Sequence, residues 1–72
     1  MDYKQHIVSD HKIMLGKPTI KGTRITVELI LRKLSDGESV KDLLVAYPHL
    51  TKADILAALE YAAAVISNEE MA

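Results

Sequence analysis

The sequence predicts a mainly α-helical domain in which three helices follow a short N-terminal β arm. Thr26, Ser39 and Thr51 each precede a run of apolar residues with helical spacing, so each is a predicted helix cap. Upstream, β-branched residues in short pieces turn at Gly22, which is typical of extended segments. We divide the 72-residue chain, a single domain, into a β arm (6–25), three helices (26–67) and a frayed tail (68–72).

Two of the helix starts carry a second pattern. Asp42 follows Ser39 by three positions, and Asp54 follows Thr51 in the same way. In such a capping box the hydroxyl and the carboxylate each accept a hydrogen bond from the other residue's backbone amide. Both carboxylates also complement the positive end of the helix dipole.

The predicted helices also have recognisable ends. Asp36-Gly37 follows the first helix as a turn, and Pro48 ends the second because proline cannot donate a hydrogen bond. The third helix is expected to run to about Ser67. Its predicted core stripe consists of Ile55, Ala58, Leu59, Ala62, Val65 and Ile66.

Composition narrows the class of protein. The chain has no cysteine, which excludes disulfides and thiolate metal sites and fits a reducing compartment. No apolar run approaches the roughly 20 residues of a membrane span, and the N-terminus lacks the apolar region of a signal peptide. We therefore expect a soluble, cytoplasmic protein without membrane contact. At 72 residues, self-association or a bound partner is the remaining way to add buried area.

Charge is unevenly distributed along the chain, although the formal net charge is −1. Residues 1–33 hold seven basic and three acidic side chains, a balance of +4. Residues 34–72 hold two basic and seven acidic side chains, a balance of −5. This split indicates two faces with different partners, or else an ordinary solvated surface.

The second helix, the turn around Pro48 and the third helix form a candidate helix-turn-helix unit. The outward positions of the third helix offer one base, two acids and no Arg, Asn or Gln, which is a poor surface for reading base edges. Phosphate contacts are instead expected mainly from the arm and the first helix. A plain three-helix domain explains the same pattern equally well. The predicted nucleic-acid-binding residues are Lys17, Lys21, Arg24, Arg32, Lys33 and Lys52.

The third helix is apolar on more than its core side. A helix that is apolar nearly all round is normally buried, and this domain is too small to cover it fully. We therefore predict an interface with a second copy or another protein. The alternative is that alanine is simply a good helix former. The predicted interface residues are Leu56, Ala57, Glu60, Ala63 and Ala64.

No group of residues predicts catalysis. The segment from Gly16 to Arg24 lacks the spacing and the Lys-Ser/Thr ending of a phosphate-binding loop. His6, His11 and His49 have no companions at metal-ligand spacing. We expect a protein that is not an enzyme and has no cofactor, metal or small-molecule substrate.

Several motifs resemble a known family. The most distinctive is Gly16-Lys17-Pro18-x-Ile20-x-Gly22-Thr23-Arg24-Ile25-x-Val27, followed by Tyr47-Pro48-x-Leu50-Thr51 and Asp54-Ile55-x-Ala57-Ala58-Leu59-x-Tyr61-Ala62. Together they resemble the family called domain of unknown function 433 (DUF433), from about Ile7 to Val65. The resemblance implies a homeodomain-like three-helix fold that is often dimeric.

The resemblance also implies a function. Many members are assigned the role of antitoxin in VapBC-like type II toxin–antitoxin pairs, encoded beside a PIN-like nuclease toxin. Such an antitoxin blocks the toxin and can repress its own promoter. We accordingly expect an antitoxin-like homodimer that binds a PIN-like nuclease and promoter DNA. Two alternatives stay open: a stand-alone helix-turn-helix transcriptional regulator, and a protein-interaction adaptor without DNA binding.

Overall fold

The computed structural model describes residues 2–71, with side chains placed through residue 68. It contains three helices and a short two-stranded antiparallel sheet near the N-terminus, which confirms the predicted mainly helical architecture. In chain order the elements are a 3-10 turn (Tyr3–Gln5), strand β1 (Ile7–Val8), a second 3-10 turn (Met14–Gly16), strand β2 (Thr19–Ile20), and helices α1 (Val27–Ser35), α2 (Val40–Ala46) and α3 (Lys52–Met71).

The β arm is a minimal sheet that depends on the helices. Ile7 pairs with Ile20 and Val8 with Thr19, and an isolated bridge joins Thr19 to Thr26 at the start of α1. Two strands alone are barely stable in water. The first 3-10 turn and β1 both pack on α3. The last helix of the chain therefore anchors the arm at the N-terminus.

All three predicted helix caps are present. The hydroxyl of Thr26 accepts a hydrogen bond from a backbone amide of α1 at 3.0 Å. Ser39 and Asp42 form a complete capping box, with N–O distances of 2.9 and 3.0 Å. Thr51 and Asp54 form the second box at 3.0 and 3.1 Å. These bonds satisfy amides that a helix start otherwise leaves without partners.

The core lies where β2 meets the three helices. Its buried side chains are aliphatic, as the lack of Phe and Trp requires, and comprise Ile20, Val27, Ile30, Leu43, Leu50, Ile55 and Ala58. Three members of the predicted core stripe of α3 are exposed instead, namely Leu59, Val65 and Ile66. Val65 and Ile66 are exposed because they lie in the C-terminal half of α3. That helix has 20 residues, whereas α1, which packs against it, has only nine.

Helix α3 is also longer than the sequence predicted. It reaches Met71, whereas an end near Ser67 and a frayed tail over 68–72 were expected. No Gly or Pro follows Pro48, so the sequence contains no strong helix stop in this region. The predicted tail thus overlaps α3 over residues 68–71, and Ala72 lies outside the described residues. Despite its length, α3 lacks the apolar character of a membrane span, as do the other helices of residues 2–71.

Candidate protein-interaction surface

The β arm and the 3-10 turn before it (Tyr3–Gln5) cover one side of α3. Nδ1 of His6 lies 2.9 Å from Oδ1 of Asp54, and the rings of Tyr3 and Tyr61 meet edge to face with centroids 5.6 Å apart. Ala57 lies between Asp54 and Tyr61 on the same side of the helix and is completely buried. The prediction that Ala57 faces a partner is therefore wrong, because the protein's own arm occupies that side.

The contact between His6 and Asp54 is partly shielded from water. The Asp54 side chain is 14% exposed and the His6 side chain 29%. Burial raises the pKa of Asp54, but hydrogen bonds from His6 and from the amide and hydroxyl of Thr51 outweigh it and hold the pKa below its usual value. Asp54 is therefore a carboxylate at neutral pH, and it binds the arm while it caps α3.

The outward side of α3 carries a line of exposed apolar side chains. We call Leu56, Leu59, Ala63 and Ile66 the outer stripe. Leu56 is 43% exposed, Leu59 41% and Ile66 56%. Their spacing of three, four and three residues places them on one face of the helix, in the pattern by which helices pair. The outer stripe therefore has the spacing of a surface against which another helix packs. No helix within residues 2–71 covers it.

The other predicted interface residues lie beside the outer stripe or away from it. Glu60 is partly exposed at its edge, whereas Ala64 is partly buried and lies two turns after Ala57, on the side of the arm. Leu59 and Ile66 were not among the predicted interface residues, because both were expected in the core stripe of α3. The repeat of three and four residues that starts at Leu56 is the pattern that identifies them.

An open apolar groove of about 490 Å³ lies between α1 and the C-terminal half of α3. Leu31 of α1 and Val65 and Ile66 of α3 line it, and Pro18 of the arm also contributes. Ile66 belongs to both the groove and the outer stripe, so the two form one continuous apolar surface. The groove is not predictable from motifs or periodicity, because it depends on how the arm and the two helices pack.

Charged residues line one edge of the groove. Glu28 accepts hydrogen bonds from Nη2 of Arg32 at 3.1 Å and from Nζ of Lys17 at 3.4 Å. The bond from Arg32, then that from Lys17, and their positive charges lower the pKa of Glu28. Two of the side chains predicted to bind phosphate are thus engaged by a carboxylate of the same chain.

The structure does not bring the six predicted phosphate-binding residues together as one set of available charges. Lys33 is engaged as well, with its Nζ 3.6 Å from Oε2 of Glu38. Lys21, Arg24 and Lys52 are exposed, and none of them forms an ion pair with the side chains described in residues 2–68. The basic character predicted for the arm and α1 is therefore partly neutralised within the chain.

No metal centre is formed within residues 2–68, since no three His, Asp or Glu side chains cluster there. His11 and His49 are exposed and lie on separate loops, and His6 contacts Asp54.

Comparison with known proteins agrees with the fold. A family model described as "Protein of unknown function (DUF433)" matches residues 7–62. A crystal structure of a DUF433 member protein from Anabaena variabilis is 33% identical, with a TM-score of 0.76 over 83% of this chain. The aligned part is 63% of that protein, so this chain spans less than two thirds of its length. No curated protein matches the sequence. The family model covers most of the chain, and the chain therefore belongs to the DUF433 family.

Proposed function

We propose that this chain is a non-enzymatic, antitoxin-like protein that binds a PIN-like nuclease toxin through the outer stripe of α3. The main support for this proposal is the exposure of the outer stripe. Monomeric proteins rarely expose large contiguous apolar patches unless a partner covers them. The role assigned to many DUF433 proteins, antitoxin beside a PIN-like nuclease, gives the class of partner.

Charge supports the same choice of partner. A nuclease attracts a polyanionic substrate, so the surface around its active site is positively charged. Residues 34–72 of this chain carry a balance of −5, and Glu60 lies at the edge of the outer stripe. An acidic, apolar helix bound over a basic cleft would both complement its charge and exclude RNA. Inhibition would then need no chemistry from this protein.

The proposal is tested with the PIN-like nuclease encoded nearest to this gene. The intact protein should bind it and inhibit its RNA cleavage at a one-to-one ratio of chains. The double substitution Leu56→Glu and Ala63→Glu should weaken binding about tenfold or more, because it buries two charges in an apolar contact. Val45→Glu is the matched control, since Val45 is 74% exposed on α2 and outside the stripe. Full inhibition by the folded double variant would exclude the outer stripe as the surface that binds the nuclease.

A second candidate function is binding to promoter DNA, in which α2, the following turn and α3 would act as a homeodomain-like helix-turn-helix. Lys21 and Arg24 lie in the arm, outside this unit, and would supply phosphate contacts, since both are exposed and form no ion pair among residues 2–68. Replacing both with Ala should lower affinity for the DNA upstream of the gene. The slope of log affinity against log salt should fall by about two, one for each lost phosphate contact.

Lys17→Ala is the control for this second function, because its ammonium already contacts Glu28. It should change the salt slope less than the loss of either Lys21 or Arg24. Fluorescence anisotropy of a labelled duplex measures both quantities. An unchanged slope in the double variant, or no DNA binding at low salt, would exclude DNA contact by Lys21 and Arg24 of the arm.

A further inference from the structure

The apolar groove between α1 and α3 has the size of a small-molecule site. Its volume of about 490 Å³ lies within the roughly 300–1,000 Å³ that is usual for ligand-binding clefts. Each helix contributes one wall, formed by residues between 27 and 32 in α1 and between 61 and 66 in α3. At about 1.5 Å per residue, each wall is about 8 Å long.

This length favours a compact ligand over a helix of another protein. A helix that docks in a groove anchors itself through positions i, i+3 or i+4, and i+7, which extend over about 10 Å. The walls of this groove are shorter than that. A ligand with the dimensions of one aromatic ring and a short chain is a better match.

The inner surface of the groove is apolar and includes an aromatic ring. Leu31 and Val65 line it from the two helices, and Pro18 and Tyr61 also contribute. The ring of Tyr61 is positioned by its edge-to-face contact with Tyr3, whose centroid lies 5.6 Å away. Aliphatic side chains beside a fixed aromatic ring form a surface on which an apolar ligand body packs well.

The charged edge of the groove selects the sign of the ligand. Arg32 and Glu28 line the groove, and Lys17 contacts Glu28 there, so two positive charges accompany one negative charge. Oε2 of Glu28 accepts hydrogen bonds from Nε and Nη2 of Arg32 at 3.2 and 3.1 Å. Oε1 accepts one from Nζ of Lys17 at 3.4 Å. Both cations have more N–H donors than these bonds use, which leaves donors for a second carboxylate.

We propose that this groove binds a small apolar carboxylic acid, with its apolar body between α1 and α3 and its carboxylate at Arg32 and Lys17. A planar carboxylate matches the fork of N–H donors of a guanidinium. The Arg32 side chain is 74% exposed, so the ion pair stays open to water and burial of the apolar body supplies most of the affinity. The site goes beyond nuclease binding and does not involve Leu56 or Ala63 of the outer stripe.

Three probes of nearly the same shape test the choice of charge. Phenylpropionate, phenylpropionamide and phenylpropylamine are each added to the intact, isotope-labelled chain while its amide spectrum is recorded. The acid should shift the amides of Leu31 and Val65, and not that of Val45, with a dissociation constant on the order of 1 mM. The amide probe should bind about fivefold more weakly, which is the size of an ion pair open to water, and the amine more weakly still.

The same spectra contain the results that would overturn the proposal. The amide probe or the amine could bind as tightly as the acid, which would contradict the choice of an anion. The acid could cause no shift up to about 10 mM, well above the expected dissociation constant. A second copy in the groove would shift the amides of Leu31 and Val65 on dilution without any probe and would keep the acid from binding.

Two substitutions at the charged edge should act in opposite directions. Arg32→Ala should weaken binding of the acid about fivefold and leave the amide probe unaffected. Glu28→Gln should tighten binding of the acid, because it removes the competing carboxylate and keeps the shape of the side chain. Lys33→Ala is the matched control, since it removes a positive charge from α1 whose Nζ contacts Glu38 instead. Weaker binding of the acid by folded Glu28→Gln, or equal losses in Arg32→Ala and Lys33→Ala, would overturn the proposal.

Discussion

The imidazole of His6 lies 2.9 Å from the carboxylate of Asp54, a contact between side chains 48 residues apart. The same carboxylate closes a capping box with Thr51, so one group both starts α3 and holds the arm on it. Asp42 closes the equivalent box with Ser39 at the start of α2, and there it is exposed. The two aspartates therefore form a matched pair that differs in the contact with the arm.

Replacing each aspartate with Ala separates these two roles. Asp42→Ala should lower the free energy of unfolding only slightly, because it removes one solvent-exposed carboxylate from a helix start. Asp54→Ala should cost about 1 kcal/mol more, because it also leaves His6 without its hydrogen-bond partner. Urea unfolding followed by circular dichroism at neutral pH measures both. Equal losses would mean that the contact between His6 and Asp54 adds no stability.

Acid should weaken the attachment of the arm. The pKa of Asp54 is lowered from its usual 3.8, because hydrogen bonds from His6 and Thr51 outweigh burial. The unfolded chain therefore takes up this proton at a higher pH than the folded chain. The resulting stabilisation is complete above the usual pKa and is lost as pH falls through the lowered one.

Urea unfolding between about pH 2 and 5 should therefore show stability that rises with pH, and the rise should be smaller in Asp54→Ala. A slope persists in that variant because the amide and hydroxyl of Ser39 also lower the pKa of Asp42. Identical pH dependence in the natural chain and in Asp54→Ala would contradict the assignment.

The helix starts were predictable because capping is local. Ser39 and Asp42, or Thr51 and Asp54, are three residues apart, and the residue types alone specify the hydrogen bonds. The faces of α3 were not predictable in the same way. A helix that is apolar on most sides has no strong periodicity, so the sequence did not indicate that the arm buries Ala57 and leaves Leu59 exposed.

The interaction surface was predictable only in part for a related reason. Leu56 and Ala63, which were predicted as interface residues because they lie outside the core stripe, are exposed. The groove, in contrast, is formed by residues distant in sequence, such as Pro18 and Val65. The engagement of Lys17 by Glu28 likewise follows from the path of the arm beside α1, which composition and spacing do not determine.

The turn between α1 and α2 gives a prediction about backbone conformation. Gly37 has a φ of +94°, and a Cβ added there would meet no atom within 4 Å. Gly37→Ala should therefore cost about 1 kcal/mol from backbone conformation alone. Gly37→Asn should cost less, because asparagine tolerates positive φ better. Equal losses for the two variants in urea unfolding would show that backbone conformation is not the cause.

Enlarging Ala57 should lift the arm from α3. Leu at this position has no room beneath the arm, and overpacking of this kind costs about 1–3 kcal/mol. Ala63→Leu makes the same chemical change on the exposed side of the same helix and should stay within about 0.5 kcal/mol of the natural chain. Amide exchange locates the effect, because the amide of Lys21 donates to the carbonyl of His6 within the arm at 2.8 Å. That amide should exchange faster in Ala57→Leu and not in Ala63→Leu.

Equal exchange rates of the Lys21 amide in the two variants would mean that the arm does not cover this side of α3. Ala57 would then again be a candidate for a partner contact.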